Sequence, residues 1–289
     1  LETPCGVGNP VNPVTGQVLE HQQDIQLPTS PALHLSRYYA PNQPIRGVFG
    51  AHWHSNLDSH LRIEDDGFYY LNPKLAEIHY YDPDPGEQSR NTQNPGERLC
   101  RTEQGALYLL NPEGQRLYFG YALGSRLMLS AMEDSNGNRI DIQRRPSDGF
   151  PLVLRHHNGQ ALLLSSAREE DELDARISQI NHYAAGQQTQ LLDYHYDNQQ
   201  RLDQIDGQLT HQGARYQYNA QGQLCRRQDS IQQTWTEYDY DEENRVIAQR
   251  SAGDHYNGRF EYQTGLTRYH TPAGGLLDYH YDSQKRIPR

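Results

Sequence analysis

The chain has 289 residues, 35% of them hydrophobic, and its 26 basic and 37 acidic residues give a formal net charge of -11. Its mean hydropathy of -0.95 would suggest disorder, but 21 tyrosines argue against it, because a tyrosine ring can be buried while its hydroxyl keeps a polar partner. No apolar run approaches the roughly 18 residues of a membrane span, and no basic stripe follows a phosphate backbone, so we expect this segment to bind neither membranes nor nucleic acid.

The amino-terminal end suggests processing. The first residue is Leu1, and no apolar signal-peptide core follows it. We expect Leu1 to be the end left by a cleavage, with an arbitrary boundary as the alternative. Acid–base help could come from Glu2, Cys5 or a histidine of the segment His52–His60. Cys5 is the one candidate nucleophile, but the sequence shows no base positioned beside it, so an inert thiol is the favoured interpretation.

Cysteine usage excludes two further kinds of site. Cys5, Cys100 and Cys225 lie far apart and show no CxxC spacing, so neither a disulfide framework nor a zinc site is expected. This fits a chain made in a reducing cytosol. We expect no cofactor.

Most of the chain reads as short strands separated by turn dipeptides. The dipeptides are Asp66-Gly67, Glu113-Gly114, Asn136-Gly137, Asn158-Gly159, Asp206-Gly207 and Gln221-Gly222. Asn-Gly and Asp-Gly supply the positive φ angles of hairpin turns, and this spacing predicts an all-β antiparallel meander, with an open curved sheet in place of a compact core. Residues 167–173 could begin a helix, but we interpret this acidic run as a solvated turn between two strands.

The last hundred residues contain a repeat. Tyr196, Tyr218, Tyr240 and Tyr262 are each 22 residues apart, and Tyr281 follows after 19. The copies are Tyr194-x-Tyr196-Asp197 with Arg201-Leu202, Tyr216-x-Tyr218-Asn219 with Gln223-Leu224, Tyr238-x-Tyr240-Asp241 with Arg245-Val246, Phe260-x-Tyr262 with a degenerate end near Thr267, and Tyr279-x-Tyr281-Asp282 with Arg286-Ile287. A fixed period of this length indicates repeat architecture.

Strand alternation gives the repeat a physical interpretation. Two tyrosines at i and i+2 share one face of a strand, and the following Asp or Asn opens a turn by bonding the backbone two residues on. Stacked copies would set tyrosines beside tyrosines as cross-strand pairs. The intervening histidines, His195 and His280, and also His156-His157, are expected on the opposite strand face. Because Asp197, Asp241 and Asp282 recur with the repeat, we interpret them as turn formers and not as general acids.

These residues resemble the YD repeat of the Rhs (rearrangement hotspot) family, approximately Tyr-x-Tyr-Asp-x-x-Gly-Arg-Leu. Its glycine is present as Gly222, whereas Gln200, Asn244 and Lys285 replace it in other copies. The amino-terminal part is similar to the same family through Gly8–Gly16, through Asp24–Pro28 with Leu33–Tyr39, and through Gly47–Trp53, where Ala51-His52 departs from the usual pairing. The resemblance covers residues 8–63 and 190–289.

The resemblance implies a segment of a hollow β cocoon that encloses a carboxy-terminal toxin of a bacterial type VI secretion effector. The implied partners are the rest of the shell, the toxin domain, a cleaved PAAR-type docking segment and the secretion spike. The shell would be made in the bacterial cytoplasm and then secreted or injected into a competitor cell. The expected parts are an opening segment (1–63), a β-meander (64–189) and the YD repeats (190–289). Toxin activity would lie in a carboxy-terminal domain outside this chain, so we expect no catalytic residue here.

Two alternatives are weighed against this interpretation. His52, His54, Asp58 and His60 could form a metal cluster, but they flank Trp53 in a segment that resembles a structural family motif, so a packing role is favoured. YD repeats also occur in extracellular adhesion proteins. A sheet lined with tyrosines could bind carbohydrate by ring stacking, which makes adhesion or carbohydrate binding the alternative function.

Overall fold

The computed structural model describes residues 11–41, 46–73, 76–91, 94–167, 175–207, 213–254 and 257–283. Antiparallel strands make up nearly all of this regular structure, together with the 3-10 helices Asn56–Asp58 and Ala252–Asp254. The predicted all-β antiparallel fold is confirmed. Among the described residues, no helix is long and apolar enough to span a membrane.

The strands are, in chain order, β1 (Glu20–Leu27), β2 (Leu33–Tyr39), β3 (Arg46–Gly47), β4 (Gly50–Ala51), β5 (Trp53–Ser55), β6 (His60–Glu64), β7 (Gly67–Leu71), β8 (Glu77–Tyr80), β9 (Gln88–Arg90), β10 (Arg98–Arg101), β11 (Leu107–Leu110), β12 (Arg116–Leu123), β13 (Arg126–Glu133), β14 (Arg139–Arg144), β15 (Pro151–His156), β16 (Ala161–Ser166), β17 (Ile177–Ala184), β18 (Gln187–Tyr196), β19 (Leu202–Gly207), β20 (Gly213–Tyr218), β21 (Leu224–Asp229), β22 (Trp235–Tyr240), β23 (Val246–Ser251), β24 (Gly258–Gln263), β25 (Leu266–His270) and β26 (Leu276–His280).

The chain divides into two compact units. Within the described ranges, unit 1 contains residues 22–38 and 46–194, and unit 2 contains residues 11–21, 39–41 and 195–283. Strands β1 and β18 each run across a boundary between them. The opening segment therefore contributes residues to both units.

In unit 1, strands β6 to β13 follow one another as hydrogen-bonded neighbours, and β13 then returns to β6. Strand β13 has eight residues, so its first part, from Arg126 to Met128, pairs with β6, while its last part pairs with β14. Strands β6 to β13 thus form a closed sheet, and its interior is filled. The aromatic rings of Tyr70 on β7 and Phe119 on β12 lie 5.7 Å apart inside it, although their strands are not neighbours. The expectation of an open sheet without a packed core is wrong for unit 1.

The remainder of unit 1 continues as a meander from β13 to β18, and β1, β2 and β5 form a separate three-stranded sheet. Strands β16 and β17 pair antiparallel, and the acidic run between them, for which a turn is predicted, lies outside the described residues from 168 onward. Residues 177–183 are in strand β17, which leaves no helix there.

Unit 2 carries a meander from β19 to β26 in chain order. One predicted turn is wrong: Asp206 and Gly207 are the last residues of β19, because the pairing with β20 extends to Asp206, which faces Gly213. Gly114, Gly137, Gly159 and Gly222 do lie at hairpin turns with φ between 81° and 92°.

Candidate functional site: a repeated hairpin and its strap

Each repeat turn is held by the side chain that opens it. In the first copy, the Asp197 carboxylate accepts the backbone N–H groups of Gln199 and Arg201, both at 2.9 Å. The Asp197 N–H donates to the carbonyl of Arg201, and the Gln200 N–H donates to the carbonyl of Asp197. This is the bonding of a three-residue hairpin loop with a left-handed residue at its end. Asn219 and Asp241 make the same contacts in the next two copies.

The residue at the glycine position keeps a positive φ whether or not it is glycine. The φ angles are 65° at Gln200, 84° at Gly222 and 64° at Asn244. His52 shows the same behaviour in the opening segment: it falls at the third glycine of the Gly-x-x-Gly-x-Gly-Trp pattern and has a φ of 66°. A left-handed conformation costs a non-glycine residue about 1 kcal/mol. The backbone is therefore left-handed at Gln200, Asn244 and His52, although none of these residues is a glycine.

Two of the three turns carry an ion pair, and the middle turn is neutral. Arg201 Nε donates to Asp197 at 2.7 Å, and its guanidinium lies 4.5 Å from the centre of the Tyr218 ring. Arg245 repeats this arrangement with Asp241 and Tyr262. In the middle turn the amide of Asn219 donates instead to the side-chain oxygen of Gln223, at 2.8 Å.

The second tyrosine of a repeat bonds to the repeat before it. Tyr218 donates to the carbonyl of Leu202 at 2.6 Å, and the following copies repeat this contact from Tyr240 to Leu224 at 2.7 Å and from Tyr262 to Val246 at 2.6 Å. Tyr281 makes a longer contact, 3.3 Å, with the carbonyl of Gln263. The bond links consecutive hairpins along unit 2. Burial raises the pKa of Tyr240 well above its ordinary value.

The tyrosine strands are not neighbours, so the expected ladder of tyrosine pairs is wrong. Each repeat supplies two strands, and the second one lies between successive tyrosine strands. The cross-strand partner of Tyr216 is Arg227, and that of Tyr238 is Gln249. Tyr194, Tyr216 and Tyr238 are each 3% exposed. The faces of these three tyrosines are therefore closed to a carbohydrate, whereas Tyr218, Tyr240 and Tyr262 are half-buried.

The predicted strand positions of the histidines agree with the structure for one pair of residues and differ from it for the other. His195 and His280 lie exposed on strand positions between tyrosines, and His195 Nε2 is 3.0 Å from Asp206. For His156-His157 the expectation is wrong. His156 is buried, ends β15 and opens a turn in which the Asn158 N–H donates to its ring, while His157 lies in the turn itself.

Residues 11–39 of the opening segment cross the repeats, and we call them the strap. In unit 2, the Val246 N–H donates to the carbonyl of Gly16 at 2.8 Å. A Cβ at Gly16 would lie 2.4 Å from the Cβ of Arg245, so no side chain fits there. Glu20 is buried and pairs with Arg227 at 3.1 Å, while the Tyr39 hydroxyl accepts the Leu224 N–H at 2.9 Å.

In unit 1 the strap is anchored by a buried charge cluster. Asp24 accepts both Arg37 Nε, at 2.8 Å, and the hydroxyl of Tyr194, the first repeat tyrosine, at 2.9 Å. The Arg37 guanidinium lies 4.9 Å from the centre of the Trp53 ring. At the loop after β1, the Ser30 hydroxyl donates to Asp134, whose hydrogen bonds hold its pKa at about 2.

The histidines around Trp53 take up packing positions. Asp58 is half-buried and accepts the backbone N–H groups of Val48 and Ser55. Burial raises the pKa of Asp58 to about 6 and lowers that of His54 to about 4. His54 is 1% exposed, and His60 Nδ1 lies 2.9 Å from the carbonyl of Asp58. Within the described ranges, no group of His, Cys, Asp or Glu side chains is arranged to hold a metal ion.

The sequence predicts turns at Gly114, Gly137 and Gly159 of unit 1, and the structure shows that they are of the same kind as the turns of the repeats. The signal is a polar residue followed three positions later by glycine, and it marks Thr102, Asn111, Asp134, His156 and, in unit 2, Thr271. Asp134 and His156 are 22 residues apart. The repeat period therefore extends beyond the copies that carry the Tyr-x-Tyr motif.

Some predicted residues lie outside the described part of the chain: Leu1, Glu2, Cys5, Lys285 and Arg286. Tyr279 lies on β26, and Tyr281 and Asp282 follow it. Of the remaining cysteines, Cys100 is a buried free thiol and Cys225 a half-buried one.

Comparisons with known proteins agree with the repeat and the opening segment. Residues 8–80 match the family described as Domain of unknown function (DUF6531). Probable deoxyribonuclease RhsB of Dickeya dadantii (strain 3937) is 29% identical over 310 residues, which cover 97% of this chain and 21% of that protein. Probable deoxyribonuclease RhsA of the same strain is 28% identical, over 88% of this chain and 17% of that protein.

Among solved structures, the crystal structure of TcdB2-TccC3 is similar to 93% of this chain and 20% of that one, with a TM-score of 0.46 and 12% identity. The chain spans about a fifth of the length of the curated relatives it matches. The DUF6531 match, the two Rhs-named relatives and the chain's own Tyr-x-Tyr-Asp hairpins support its similarity to Rhs-type YD-repeat proteins.

Proposed function

We propose that this chain is a non-catalytic wall segment of a container that encloses a carboxy-terminal toxin domain. The observation that carries the proposal is the contact from each repeat to the one before it, in which Tyr218, Tyr240 and Tyr262 donate to backbone carbonyls 16 residues upstream. The recurring polar groups are occupied in holding hairpins together. A wall needs such contacts, whereas a catalytic site needs polar groups that converge on a substrate.

The names of the relatives supply the rest of the proposal. Both Dickeya proteins are described as probable deoxyribonucleases and are about five times as long as this chain. We place toxin activity in their remaining length. The proposed partners are the rest of the shell, the toxin domain, a PAAR-type segment cleaved from the amino-terminal side and a type VI secretion spike. The shell would assemble in the bacterial cytoplasm and be delivered into a competitor cell.

The first test uses the full-length parent protein. Replacing Tyr218, Tyr240 and Tyr262 together by Phe removes three hydrogen bonds, each worth about 1 kcal/mol, while the rings remain. We expect the toxin domain to become sensitive to protease and the producing cell to grow more slowly. The control is Tyr183→Phe, which alters an exposed hydroxyl on β17.

Deletion of residues 190–289 from the parent is the stronger form of this test. The toxin should then fail to accumulate or to reach a target cell. Normal delivery without this region would overturn the container proposal.

We also propose the division of the chain into an opening segment (1–63), a meander (64–189) and repeats (190–289), which follows the resemblance.

A further inference from the structure

A row of aromatic side chains lies on the outward face of the closed sheet that strands β6 to β13 form in unit 1. Arg62 on β6 is the cross-strand partner of Tyr69 on β7, and Tyr69 is the partner of His79 on β8. Tyr81 follows His79 by two residues and continues the same side of the chain. The alternate residues point inward and are buried: Leu61, Tyr70, Ile78 and Tyr80. We call Arg62, Tyr69, His79 and Tyr81 the outer row.

The rings of the outer row are in contact, but the last one is open to solvent. The ring centres of Tyr69 and His79 are 4.8 Å apart, and those of His79 and Tyr81 are 4.9 Å apart. The Tyr81 ring stands at 81° to the His79 ring and is 70% exposed, the largest value among the large hydrophobic residues that the structure describes as exposed. The buried core of unit 1 makes no use of this ring.

A second outward aromatic pair shows how such rings are normally covered. Tyr108 and Tyr118 are cross-strand partners with ring centres 5.3 Å apart. The guanidinium of Arg116 lies over Tyr108, and that of Arg139 lies over Tyr118. Arg62 covers Tyr69 in the same way. Among the described residues, no guanidinium is placed over Tyr81.

The polar groups beside the outer row determine which ligand fits. Arg62 is paired with Glu64 and with Glu77, and His79 Nε2 is 3.6 Å from Asp66. The Asp66 carboxylate is 60% exposed and accepts the Tyr69 hydroxyl at 3.1 Å. The Arg62 cation is thus already paired, and the surplus groups are carboxylate oxygens, which repel polyanions and accept hydrogen bonds from hydroxyls.

We propose that the outer row is a binding site for a neutral polysaccharide. The apolar C–H face of a sugar ring packs on the open face of Tyr81, an amphipathic ring suited to a ligand that is apolar on one side and hydroxylated on its rim. Sugar hydroxyls donate to the Asp66 carboxylate. The site lies in unit 1 and is separate from the repeat tyrosines. It adds surface recognition to the proposed container.

Affinity gel electrophoresis of this chain tests the proposal, since it detects weak binding to polymers. The probes are a soluble β-glucan, a galactomannan and glycogen, with dextran sulfate as the anionic polymer. We expect at least one neutral polymer to retard the chain, and Tyr81→Ala to weaken that binding by at least about fivefold, the effect of removing a central aromatic contact. Tyr81→Phe should retain most of the retardation.

The matched control is Tyr183→Ala, which removes a partly exposed tyrosine on β17 and should leave retardation unchanged. The free energy of unfolding of each variant, measured in urea, separates lost binding from lost folding. The proposal is overturned if no neutral polymer retards the chain, if Tyr81→Ala binds as well as the parent chain, or if dextran sulfate alone causes retardation.

Discussion

The strap and the repeats solve the same packing problem in opposite ways. The repeats use one modest contact many times: the hydroxyl-to-carbonyl bond recurs at Tyr218, Tyr240 and Tyr262, and all three tyrosines are half-buried. The strap uses contacts that occur once, such as Asp24–Arg37 and the close approach at Gly16, and these are buried. Removal of one repeat contact leaves the equivalent contacts of the other repeats in place. Removal of a strap contact leaves no equivalent contact, so we expect it to cost more stability.

The largest effect is expected at the strap. Arg37→Met leaves the Asp24 carboxylate buried without its cation and should lower the free energy of unfolding by about 3–5 kcal/mol. The matched control is Arg62→Met, whose partners Glu64 and Glu77 are exposed, with an expected cost within about 1 kcal/mol. Urea titration measures both. Equal costs would erase the distinction between strap and surface contacts.

The sequence predicted the repeats well and the strap poorly, for a physical reason. Turn chemistry and the 22-residue period depend on residues close in sequence, so Asp197 and Asp241 could be recognised as turn formers. The contact from Tyr39 to Leu224 joins residues 185 positions apart in the sequence. The pairing of Arg126 with Arg62, which closes the sheet of strands β6 to β13, joins residues 64 positions apart. No local pattern encodes such a partner. The strap motif could be recognised only as a resemblance.

Departures from the glycine pattern were visible in the sequence, but their consequence was not. Gln200, Asn244 and His52 stand where the resembled patterns have glycine, and a non-glycine residue ordinarily adopts a negative φ. The structure keeps φ positive at all three. At Gln200 and Asn244 the hydrogen bonds across the hairpin loop hold this backbone conformation although the side chain opposes it.

The second prediction concerns the pH response of the segment after the strap. The pKa of His54 is lowered to about 4 from an ordinary value of 6.5, so its contribution to stability is present at neutral pH and is lost as pH falls from about 6.5 to 4. The pKa of Asp58 is raised from 3.8 to about 6, so the folded state binds this proton more tightly and gains stability as pH falls from about 6 to 4. Each effect is of the order of 3 kcal/mol.

Because the two effects oppose each other, removing one group should expose the other. Asp58→Asn should lose stability more steeply than the parent chain between pH 7 and pH 4, and His54→Phe should become more stable relative to the parent over the same interval. Urea midpoints measured at several pH values give the slopes. Parallel slopes for all three proteins would contradict the opposed shifts.

The third prediction sharpens the comparison among the repeat turns themselves. Gln200→Gly should raise the free energy of unfolding by about 1 kcal/mol, because glycine adopts a φ of 65° without strain. Asn244→Gly should gain less, since asparagine tolerates the left-handed region better than glutamine. Gly222→Gln should lose about 1 kcal/mol. A Cβ there would meet its nearest atom, Arg201 Nη1, at 3.7 Å, an ordinary contact.

Thermal unfolding of the three variants orders them. The expected order of stability is Gln200→Gly, then Asn244→Gly, then the parent chain, then Gly222→Gln. If Gln200→Gly proved no more stable than the parent, the glutamine would be making a compensating contact in its turn.

The smallest effect is expected from converting the neutral turn into a charged one. Asn219→Asp with Gln223→Arg would reproduce the flanking turns: an ion pair across the loop, and a guanidinium over the ring of Tyr240. An exposed pair contributes about 0.2–1 kcal/mol and an exposed cation–π contact about 0.5–1 kcal/mol. Some of this gain is offset because Gln223 now donates to the carbonyl of Asn244 at 3.3 Å. We expect a net gain of about 0.5 kcal/mol in the double variant.

A double-mutant cycle isolates the new contact from the single substitutions. Asn219→Asp alone should be destabilising, because the carboxylate would face the side-chain oxygen of Gln223 in place of an arginine. The coupling energy should be favourable and should shrink as salt is raised from about 0.1 M to 1 M, since the pair is exposed and screened. A coupling energy of zero at low salt would mean that the charged turns owe their stability to the loop backbone alone. In that case Asn and Gln could replace the Asp and Arg of the YD motif in every repeat without loss of stability.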